Sequence, residues 1–218
     1  MNLGIITGLK REKEFFENKE NIFITSGYSK NSIYATKKLL RKKIDLIINF
    51  GYAGSLDKSV RTGDIIIPRR VVNASGNIYK VNTKYFNFFR KKIRKETFTQ
   101  DLYTSTNIEN DLNSTVLKIK KKKKIFSFVD MEAIHVCKVA AENNVPFIVI
   151  KVIFDDLDFK IPKFITSCID ENGEIKFLKL FVSFMLNPKR IGEAIFLNRK
   201  YKSAKISAKE IVDKIVEI

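Results

Sequence analysis

Residues 129–158, with the sequence VDMEAIHVCKVAAENNVPFIVIKVIFDDLD, constrain the fold more than any other part of the chain. They predict a loop, a helix over Met131 to Asn144, a turn, and a buried strand over Phe147 to Phe154 that ends in an acidic tip. The helix begins beside Glu132, and the strand is followed directly by Asp155. Ligands of open α/β sheets bind beyond the carboxyl ends of the strands. We therefore predict a binding site that contains both acids.

Strand and helix patterns alternate along most of the chain, which predicts an α/β fold with a largely parallel or mixed sheet covered on both faces. We expect one domain over residues 1–218, because no linker rich in Pro, Gly or Ser interrupts the pattern.

The other predicted strands or extended segments are Leu3 to Thr7, Ile22 to Thr25, Ile44 to Phe50, Ile65 to Ile67, Thr97 to Thr104, Ser114 to Ile119 and Phe126 to Val129. Predicted helices cover Asn31 to Lys43 and Thr83 to Lys95, and a helical C-terminal portion (about 174–218) contains Glu174 to Leu186, Pro188 to Arg199 and Ala208 to Ile218. Asn187 is the predicted N-cap of the second of these, and a capping box at Ser207 starts the third.

The net charge of +17, from 41 lysines and arginines against 24 acids, is compatible with binding to nucleic acid or to an anionic membrane. A lysine-rich compositional bias is the favoured explanation, because lysines are scattered through every segment and no nucleic-acid-binding module accompanies them. The densest run, Lys118 to Lys124, is interpreted as a solvated loop. No apolar run approaches the ~20 residues of a membrane-spanning helix, and no signal peptide is evident, so we expect a cytoplasmic protein. Cys137 and Cys168 lack metal or redox spacing and are expected to stay reduced.

Three acids are candidates for catalysis: Glu12 after the first strand, Glu132 and Asp155. Carboxylates often cap helices and strand ends, so each acid alone could be structural, but together they form a constellation at matching strand ends. The segment Gly51 to Gly54 is predicted to be a tight turn that lets a ligand approach the backbone. His135 stands three residues after Glu132, a spacing that metals use, but a packing role is favoured because no further ligands recur. No metal or cofactor is predicted, since no phosphate-binding or dinucleotide fingerprint is present.

Several segments, in order along nearly the whole chain, resemble the purine nucleoside phosphorylase and nucleosidase superfamily. They are GIITGLKREKEF (4–15), TSGYSKN (25–31), INFGYAGSLDKSVRTGDIIIP (48–68), the segment 129–158 and the Ile161-Pro162 pair. The TGL start, FGYAGSLD, VDME and the Pro-containing tail are similar to the hopanoid-associated phosphorylases, which act on adenosylhopane. The resemblance implies a three-layer α/β/α sandwich with a central mixed sheet. It also implies an enzyme that cleaves the N-glycosidic bond of a purine nucleoside and releases adenine from adenosylhopane.

The resemblance assigns a role to each candidate residue. Asp155 falls on the catalytic acid that protonates or hydrogen-bonds purine N7, and Glu132, beside Met131, falls on the carboxylate that grips the ribose hydroxyls. Glu12 falls on the residue that positions water in hydrolytic members. Phe154, which precedes Asp155, is a candidate for base binding from its position in the chain. The loop assigned to phosphate or water consists of Gly51, Tyr52, Ala53 and Gly54. The oxocarbenium-like transition state makes these roles reasonable, since a carboxylate near the sugar and an acid at the base stabilise both developing charges.

The chain also departs from the superfamily in ways that leave phosphorolysis and hydrolysis both open. Asn49 and Tyr52 stand where phosphorolytic members place arginine and serine. The candidate substitutes are Lys10, Arg11, Lys30 and Arg61. Phe154 replaces the serine that precedes the acid in many hydrolytic relatives. The base-stacking aromatic residue of those relatives is not evident near Asn107 to Asn110, so Phe154 or Tyr52 is the candidate replacement.

A lipid-linked substrate would place the enzyme close to a membrane, where a basic surface favours anionic lipid. The Phe-rich stretches Tyr85 to Phe89 and Phe177 to Phe184 could line an apolar entrance, but core packing is the favoured interpretation. The expected partners are a purine nucleoside, lipid-linked or free, inorganic phosphate and a peripheral membrane surface at the inner face, with self-association into a homo-oligomer and no specific nucleic acid. Two alternatives stay open: a soluble methylthioadenosine/adenosylhomocysteine nucleosidase or general purine nucleoside phosphorylase, and a catalytically silent nucleoside-binding protein.

Overall fold

A computed structural model describes residues 1–16, 20–93, 95–105, 127–156, 163–168 and 176–218. Its strands are β1 (Leu3–Thr7), β2 (Ile22–Ser26), β3 (Leu46–Ser55), β4 (Ile65–Ile66), β5 (Arg70–Asn73), β6 (Ile78–Lys80), β7 (Thr97–Phe98), β8 (Leu102–Thr104), β9 (Phe128–Asp130) and β10 (Phe147–Asp155). Its helices are α1 (Lys10–Lys13), α2 (Ser32–Leu39), α3 (Thr83–Lys92), α4 (Ala133–Glu142), α5 (Lys163–Thr166), α6 (Phe177–Leu186) and α7 (Lys189–Val216), with 3-10 turns at Glu14–Phe16 and Ser29–Asn31. The predictions made for Asn107 to Asn110, Ser114 to Ile119, Lys118 to Lys124 and Ile161-Pro162 lie outside the described residues.

The described strands form one mixed sheet in which β3 is the central element. Strands β1 and β10 run parallel to β3 on its two sides, and β2 runs parallel to β1. The end of β3 pairs antiparallel with β9, and β10 pairs antiparallel with β4. The predicted α/β/α sandwich around a mixed sheet is therefore confirmed. Because β1, β2, β3 and β10 point the same way, their carboxyl ends meet at one edge of the sheet.

Strand β3 extends further than its sequence suggests. The run Leu46 to Phe50 is fully buried and pairs with β1, as expected for a central strand. The predicted tight turn at Gly51 to Gly54 is wrong, because these residues continue the strand. Gly51 pairs with Lys151 of β10, and Gly54 pairs with Val129 of β9. These ladders supply the backbone partners that a buried segment needs, so the strand does not turn there.

The C-terminal helices also differ from the prediction. Helix α6 ends before Asn187, whose side chain accepts a hydrogen bond from the Lys189 amide at 3.2 Å, but the rest of the tail is a single 28-residue helix, α7. The capping box predicted at Ser207 is wrong, since Ser207 is buried in the interior of α7. Apolar residues recur at helical spacing on the buried side of α7, namely Ala204, Ala208, Ile211 and Ile215. Their burial in the core stabilises a continuous helix through the position of the expected break.

The hydrophobic core joins β1, β3, β10 and α4 to the second half of α7. Phe86 and Phe89 of α3 are buried in it, which confirms core packing for the Tyr85 to Phe89 stretch, while Phe88 is exposed. Cys137 and Cys168 are both buried free thiols. Among the helices that the structure describes, none has the length and apolar composition needed to cross a bilayer.

Candidate functional site

The three candidate acids lie at the edge where the parallel strands end. Glu12 lies on α1, which follows β1, and Asp155 is the last residue of β10. Glu132 occupies the N-cap position of α4, next to the end of β9. The fold thus brings one acid from each of three separate segments to the same edge of the sheet.

Glu12 is a buried carboxylate held by backbone amides. Its Oε2 accepts a hydrogen bond from the Leu9 amide at 2.8 Å, and its Oε1 accepts one from the Tyr52 amide at 2.9 Å. Gly51, with φ of +151°, passes so close that a Cβ there would lie 2.8 Å from Oε1. Glycine is therefore required at position 51 both for the backbone conformation and for the approach of the carboxylate. Burial raises the pKa of Glu12, although Lys151 and the two amides oppose the shift.

Glu132 faces the loops that follow β1 and β2. Its Oε1 accepts a hydrogen bond from the Ser29 amide at 3.3 Å, and a Cβ on Gly8 would lie 3.0 Å from its carboxyl carbon. Burial raises the pKa of Glu132 to about 7, Lys151 opposes this shift, and the carboxylates of Asp130 and Glu12 add to it. The protonated and the ionised form of Glu132 are therefore both populated near neutral pH.

Lys151 is a charged residue that the sequence analysis missed. Its side chain is fully buried in the middle of β10, with Nζ 3.1 Å from Asp130 Oδ2 and 3.7 Å from Glu132 Oε2. Burial alone would lower its pKa, but Asp130, Glu132 and Glu12 together raise it, so Lys151 stays charged. The available signal was a lone lysine inside the apolar run Phe147 to Phe154, since a buried lysine requires anionic partners.

Asp130, which was also missed, connects Lys151 to the start of α4. Its Oδ1 accepts a hydrogen bond from the Thr104 hydroxyl at 2.7 Å, and its Oδ2 accepts one from the Ala133 amide at 2.9 Å. The Thr104 hydroxyl oxygen in turn accepts from the Ile134 amide at 3.0 Å. These bonds satisfy two free amides in the first turn of α4 and fix the helix end that presents Glu132.

Asp155 lies beside the last residues of β3. The register shifts between Ile153 and Asp155, so that Phe154 is the extra residue of a bulge and Asp155 faces Gly54. A Cβ on Gly54 would lie 2.9 Å from Asp155 Oδ1. Burial raises the pKa of Asp155 to about 6, and the neighbouring Asp156 adds to the shift. Within the described residues no basic side chain forms an ion pair with Asp155, and a hydrogen bond from its own backbone only partly opposes the rise in its pKa.

An aromatic cluster lies next to Asp155. The ring of Phe154 lies 5.7 Å from that of Tyr52 and 6.3 Å from that of Tyr201, and the two tyrosine rings are 6.0 Å apart. Tyr201 belongs to α7 and was not identified from the sequence. The structure thus groups both residues considered for base stacking with a third ring from the C-terminal helix. Burial raises the pKa of Tyr52, so its hydroxyl is neutral.

Asp156 anchors α7 to the end of β10. Its Oδ2 accepts hydrogen bonds from the Thr62 hydroxyl and from Lys200 Nζ, both at 2.8 Å, and from the Thr62 amide at 3.1 Å. Burial would raise the pKa of Asp156, but the bonds from Lys200 and Thr62 outweigh burial and lower it. Two neighbouring acids therefore differ: Asp156 is an ionised anchor, and Asp155 holds its proton to higher pH.

Met131, His135 and Asn49 were also considered from the sequence. The Tyr28 hydroxyl lies 3.2 Å from Met131 Sδ, which places Met131 against the loop after β2. Burial lowers the pKa of half-buried His135, and the described residues contain no cluster of three or more potential metal ligands. Asn49 is buried in β3, within the strand predicted over Ile44 to Phe50, and donates a hydrogen bond to the Ile6 carbonyl at 3.2 Å.

Comparison with known proteins gives one family and a consistent group of relatives. Residues 22–176 match the model of the phosphorylase superfamily. A 5′-methylthioadenosine/S-adenosylhomocysteine nucleosidase from Buchnera aphidicola (subsp. Acyrthosiphon pisum) is 31% identical, and the match covers 72% of this chain and 86% of that protein. The enzyme of the same name from Buchnera aphidicola (subsp. Baizongia pistaciae) is 26% identical, and the match covers 87% of this chain and 93% of that protein.

Solved structures of such nucleosidases share the fold. The nucleosidase of Neisseria meningitidis in complex with methylthio-immucillin-A superposes with a TM-score of 0.70 at 14% identity, covering 99% of each chain. A putative nucleosidase of Borrelia burgdorferi bound to adenine gives 0.65 at 18% identity, covering 99% of this chain and 100% of that one. The superfamily expected from the sequence is confirmed, whereas these relatives carry the nucleosidase name and not that of the hopanoid-associated phosphorylases.

Proposed function

This chain belongs to the phosphorylase superfamily of nucleoside phosphorylases and nucleosidases, and on that basis we propose that it hydrolyses the N-glycosidic bond of a 5′-thioadenosine and releases adenine. The observation that supports this most directly is the meeting of Glu12, Glu132 and Asp155 at one edge of the sheet. The names of the relatives support a thioadenosine over adenosylhopane, the substrate expected from the sequence.

Asp155 is the proposed acid at the base. Its pKa of about 6, raised from the usual 3.8 of an aspartate, keeps part of the Asp155 population protonated near neutral pH. As the bond between ribose C1′ and purine N9 breaks, its electron pair goes to the base, and the Asp155 proton goes to N7. The rings of Phe154, Tyr52 and Tyr201 supply an apolar surface for the purine beside this acid.

Glu12 and Glu132 are the proposed groups at the sugar. Glu132 accepts hydrogen bonds from the ribose hydroxyls, with Met131 against the sugar, and its charge stabilises the cation that develops there. Glu12 orients a water molecule at C1′ and takes its proton as the C–O bond forms. The raised pKa of Glu12 suits this role, because a carboxylate that binds a proton more tightly is a stronger base. The products are adenine and the free thioribose, with no other co-reactant than water.

The test is an assay of adenine release by the purified full chain from methylthioadenosine, S-adenosylhomocysteine and adenosylhopane, each with and without inorganic phosphate. We expect release from the two thioadenosines at a rate that phosphate does not change. Asp155→Asn should lower kcat by about 10²–10⁴-fold, the usual contribution of a general acid. Asp101→Asn is the matched control, since Asp101 pairs with Arg70 away from the site.

The other outcomes are informative. Adenine and a sugar phosphate formed only with phosphate would replace hydrolysis by phosphorolysis. Release from adenosylhopane alone would assign the lipid-linked substrate instead. No adenine from any of the three, with binding of the nucleosides retained, would leave a nucleoside-binding protein.

A further inference from the structure

Helix α6 exposes an apolar side that the described part of the chain leaves uncovered. Five large apolar residues recur at the spacing of one helix side and are strongly exposed: Leu178 (77%), Phe181 (62%), Val182 (48%), Met185 (70%) and Leu186 (79%). The core-packing interpretation of the Phe177 to Phe184 stretch is therefore wrong for this side of the helix. An isolated exposed leucine needs no explanation, but a helix side made entirely of large apolar residues marks an interaction surface.

The opposite side of α6 is fixed to the protein, so the orientation of the helix is defined. Arg190 Nη1 donates a hydrogen bond to the Ser183 hydroxyl at 2.8 Å and contacts the Ser183 carbonyl oxygen at 3.3 Å. The Arg190 guanidinium also lies 5.2 Å from the centre of the Phe164 ring, and Phe164 packs edge-on against Phe184 at 6.1 Å. These contacts hold Ser183 and Phe184 inward, which directs the apolar side of α6 into solvent.

The first turns of α7 also expose large apolar residues. Ile191, Ile195 and Phe196 are all close to half exposed, at 47%, 53% and 46%. Residues 176–202 contain seven lysines and arginines and a single acid, Glu193. Five of these cations are exposed, namely Lys176, Lys179, Lys189, Arg199 and Lys202. An apolar side with basic residues beside it is the composition of helices that lie in the interface of an anionic bilayer.

We propose that α6 and the first turns of α7 form a docking surface for an anionic lipid bilayer. In this arrangement the exposed apolar side chains enter the boundary between headgroups and acyl chains, and the lysines contact the lipid phosphates. The positive charge favours anionic lipid over a second copy of this chain as the partner. Self-association through this surface would bring the lysines and arginines of two +17 proteins together, and they would repel each other. The surface also adjoins the candidate site, since α7 carries Lys200 and Tyr201, which contact Asp156 and Phe154.

Vesicle flotation with the full chain tests this surface. The probes are vesicles of phosphatidylcholine alone and of phosphatidylcholine mixed with phosphatidylglycerol, each at low and high salt. We expect binding to the anionic vesicles that salt weakens, and little binding to the neutral ones. The triple variant Leu178→Gln, Phe181→Gln, Met185→Gln should weaken binding by about tenfold or more, because its apolar side chains no longer enter the interface.

A matched triple variant provides the control. Tyr34→Gln, Ile78→Gln and Ile206→Gln change three exposed apolar residues elsewhere (73%, 49% and 60% exposed) and should leave binding unchanged. Circular dichroism and thermal unfolding establish that both triple variants fold. Absence of binding to anionic vesicles, or equal binding to neutral ones, overturns the proposal. A dimer in sedimentation that the α6 variant dissociates also overturns it and assigns the surface to a second copy. The outcome does not depend on the nucleoside that the site cleaves.

Discussion

Lys151 is the residue on which the charge balance of the site depends. Burial raises the pKa of Glu12 and of Glu132, and the ammonium of Lys151 opposes both shifts. Asp130 is the nearer carboxylate, 3.1 Å from Nζ, and Glu132 follows at 3.7 Å. A single buried cation among three buried carboxylates leaves the group with surplus negative charge, which favours proton uptake by Glu132 and Glu12. We therefore consider Lys151 a positioning residue that acts through Glu132 and Glu12.

The substitution Lys151→Met should destabilise the fold and shift the pH profile together. Removal of one partner from a buried charge cluster typically lowers the free energy of unfolding by about 3–5 kcal/mol. Without the ammonium, the pKa of Glu132 should rise further above about 7, so the acidic limb of the kcat/KM profile should move to higher pH. Denaturant unfolding and a pH series of adenine release measure the two effects.

Lys138→Met is the matched control for that experiment. Lys138 and Glu142 form an exposed pair on α4 at 3.8 Å, with more than half of each side chain in solvent. Its loss should change stability by only about 0–1 kcal/mol and leave the pH profile in place. A Lys151→Met protein with the original pH profile would show that Lys151 has a structural role alone.

At the scale of elements, α7 links the core to the candidate site. Its second half is buried in the core, and Lys200 and Tyr201 in its middle contact the end of β10. Lys200 Nζ lies 2.8 Å from the buried carboxylate of Asp156, which also accepts from Thr62. Tyr201 of this helix contacts Phe154 beside Asp155, so a helix fixed at this point supports the surroundings in which burial raises the pKa of Asp155.

Lys200→Met should therefore loosen the connection between α7 and β10. The buried Asp156 would lose its cation, and we expect a loss of about 1–3 kcal/mol in unfolding free energy, less than for Lys151 because Lys200 is partly solvated. Adenine release should fall severalfold in kcat/KM, since the aromatic cluster loses its support. Thermal unfolding and steady-state kinetics are the measurements, and Lys209→Met, an exposed lysine later in α7, is the control. Unchanged kinetics in the destabilised Lys200 variant would separate this anchor from catalysis.

The same elements show what the sequence can predict. The 3.6-residue pattern predicted α4. The run of β10 could be predicted as a strand because it is short, rich in β-branched residues and preceded by Pro146. The continuation of β3 through Gly51 to Gly54 was not predictable, since it depends on pairing with strands distant in sequence, and local glycines favour a turn. Tertiary burial likewise overrides the local capping signal at Ser207. The short strands β5 and β6 were missed, since they pair with each other and β5 with β8 but carry weak local signals.

Some residues of the candidate site could likewise be predicted from the sequence, and others could not. Glu12, Glu132 and Asp155 could be proposed from their places after strands and at a helix start, aided by the resemblance. Their partners could not, because Asp130 and Lys151 look like an ordinary strand end and an isolated charge until the sheet brings them together. Tyr201 stands 46 residues beyond Asp155 in the chain and approaches the site only through the path of α7.

At the scale of the whole molecule, the site lowers the stability of the fold at neutral pH. Asp155 and Glu132 have pKa values of about 6 and about 7 in the folded chain, above the ordinary values of 3.8 and 4.5, and burial also raises the pKa of Glu12. Folding therefore holds protons on these groups over a range where the unfolded chain has released them. Their contribution is fully present below about pH 4 and is lost as the pH rises through about 6 and 7. Asp156, whose pKa is lowered, contributes in the opposite sense and loses its contribution on acidification.

The difference between wild type and Glu132→Gln isolates this effect, because both proteins share the repulsion that a +17 chain gains on acidification. The glutamine cannot release a proton, so the stability of the variant relative to wild type should rise by roughly 2–3 kcal/mol between about pH 5 and pH 8. Urea unfolding at a series of pH values measures the change, and Glu142→Gln, an exposed acid on α4, should give a flat difference. The same Glu132 variant should lose adenine release, since the amide brings no negative charge to the ribose. A constant stability difference across this range would mean that Glu132 ionises as an ordinary glutamate and that Lys151 fully compensates its burial.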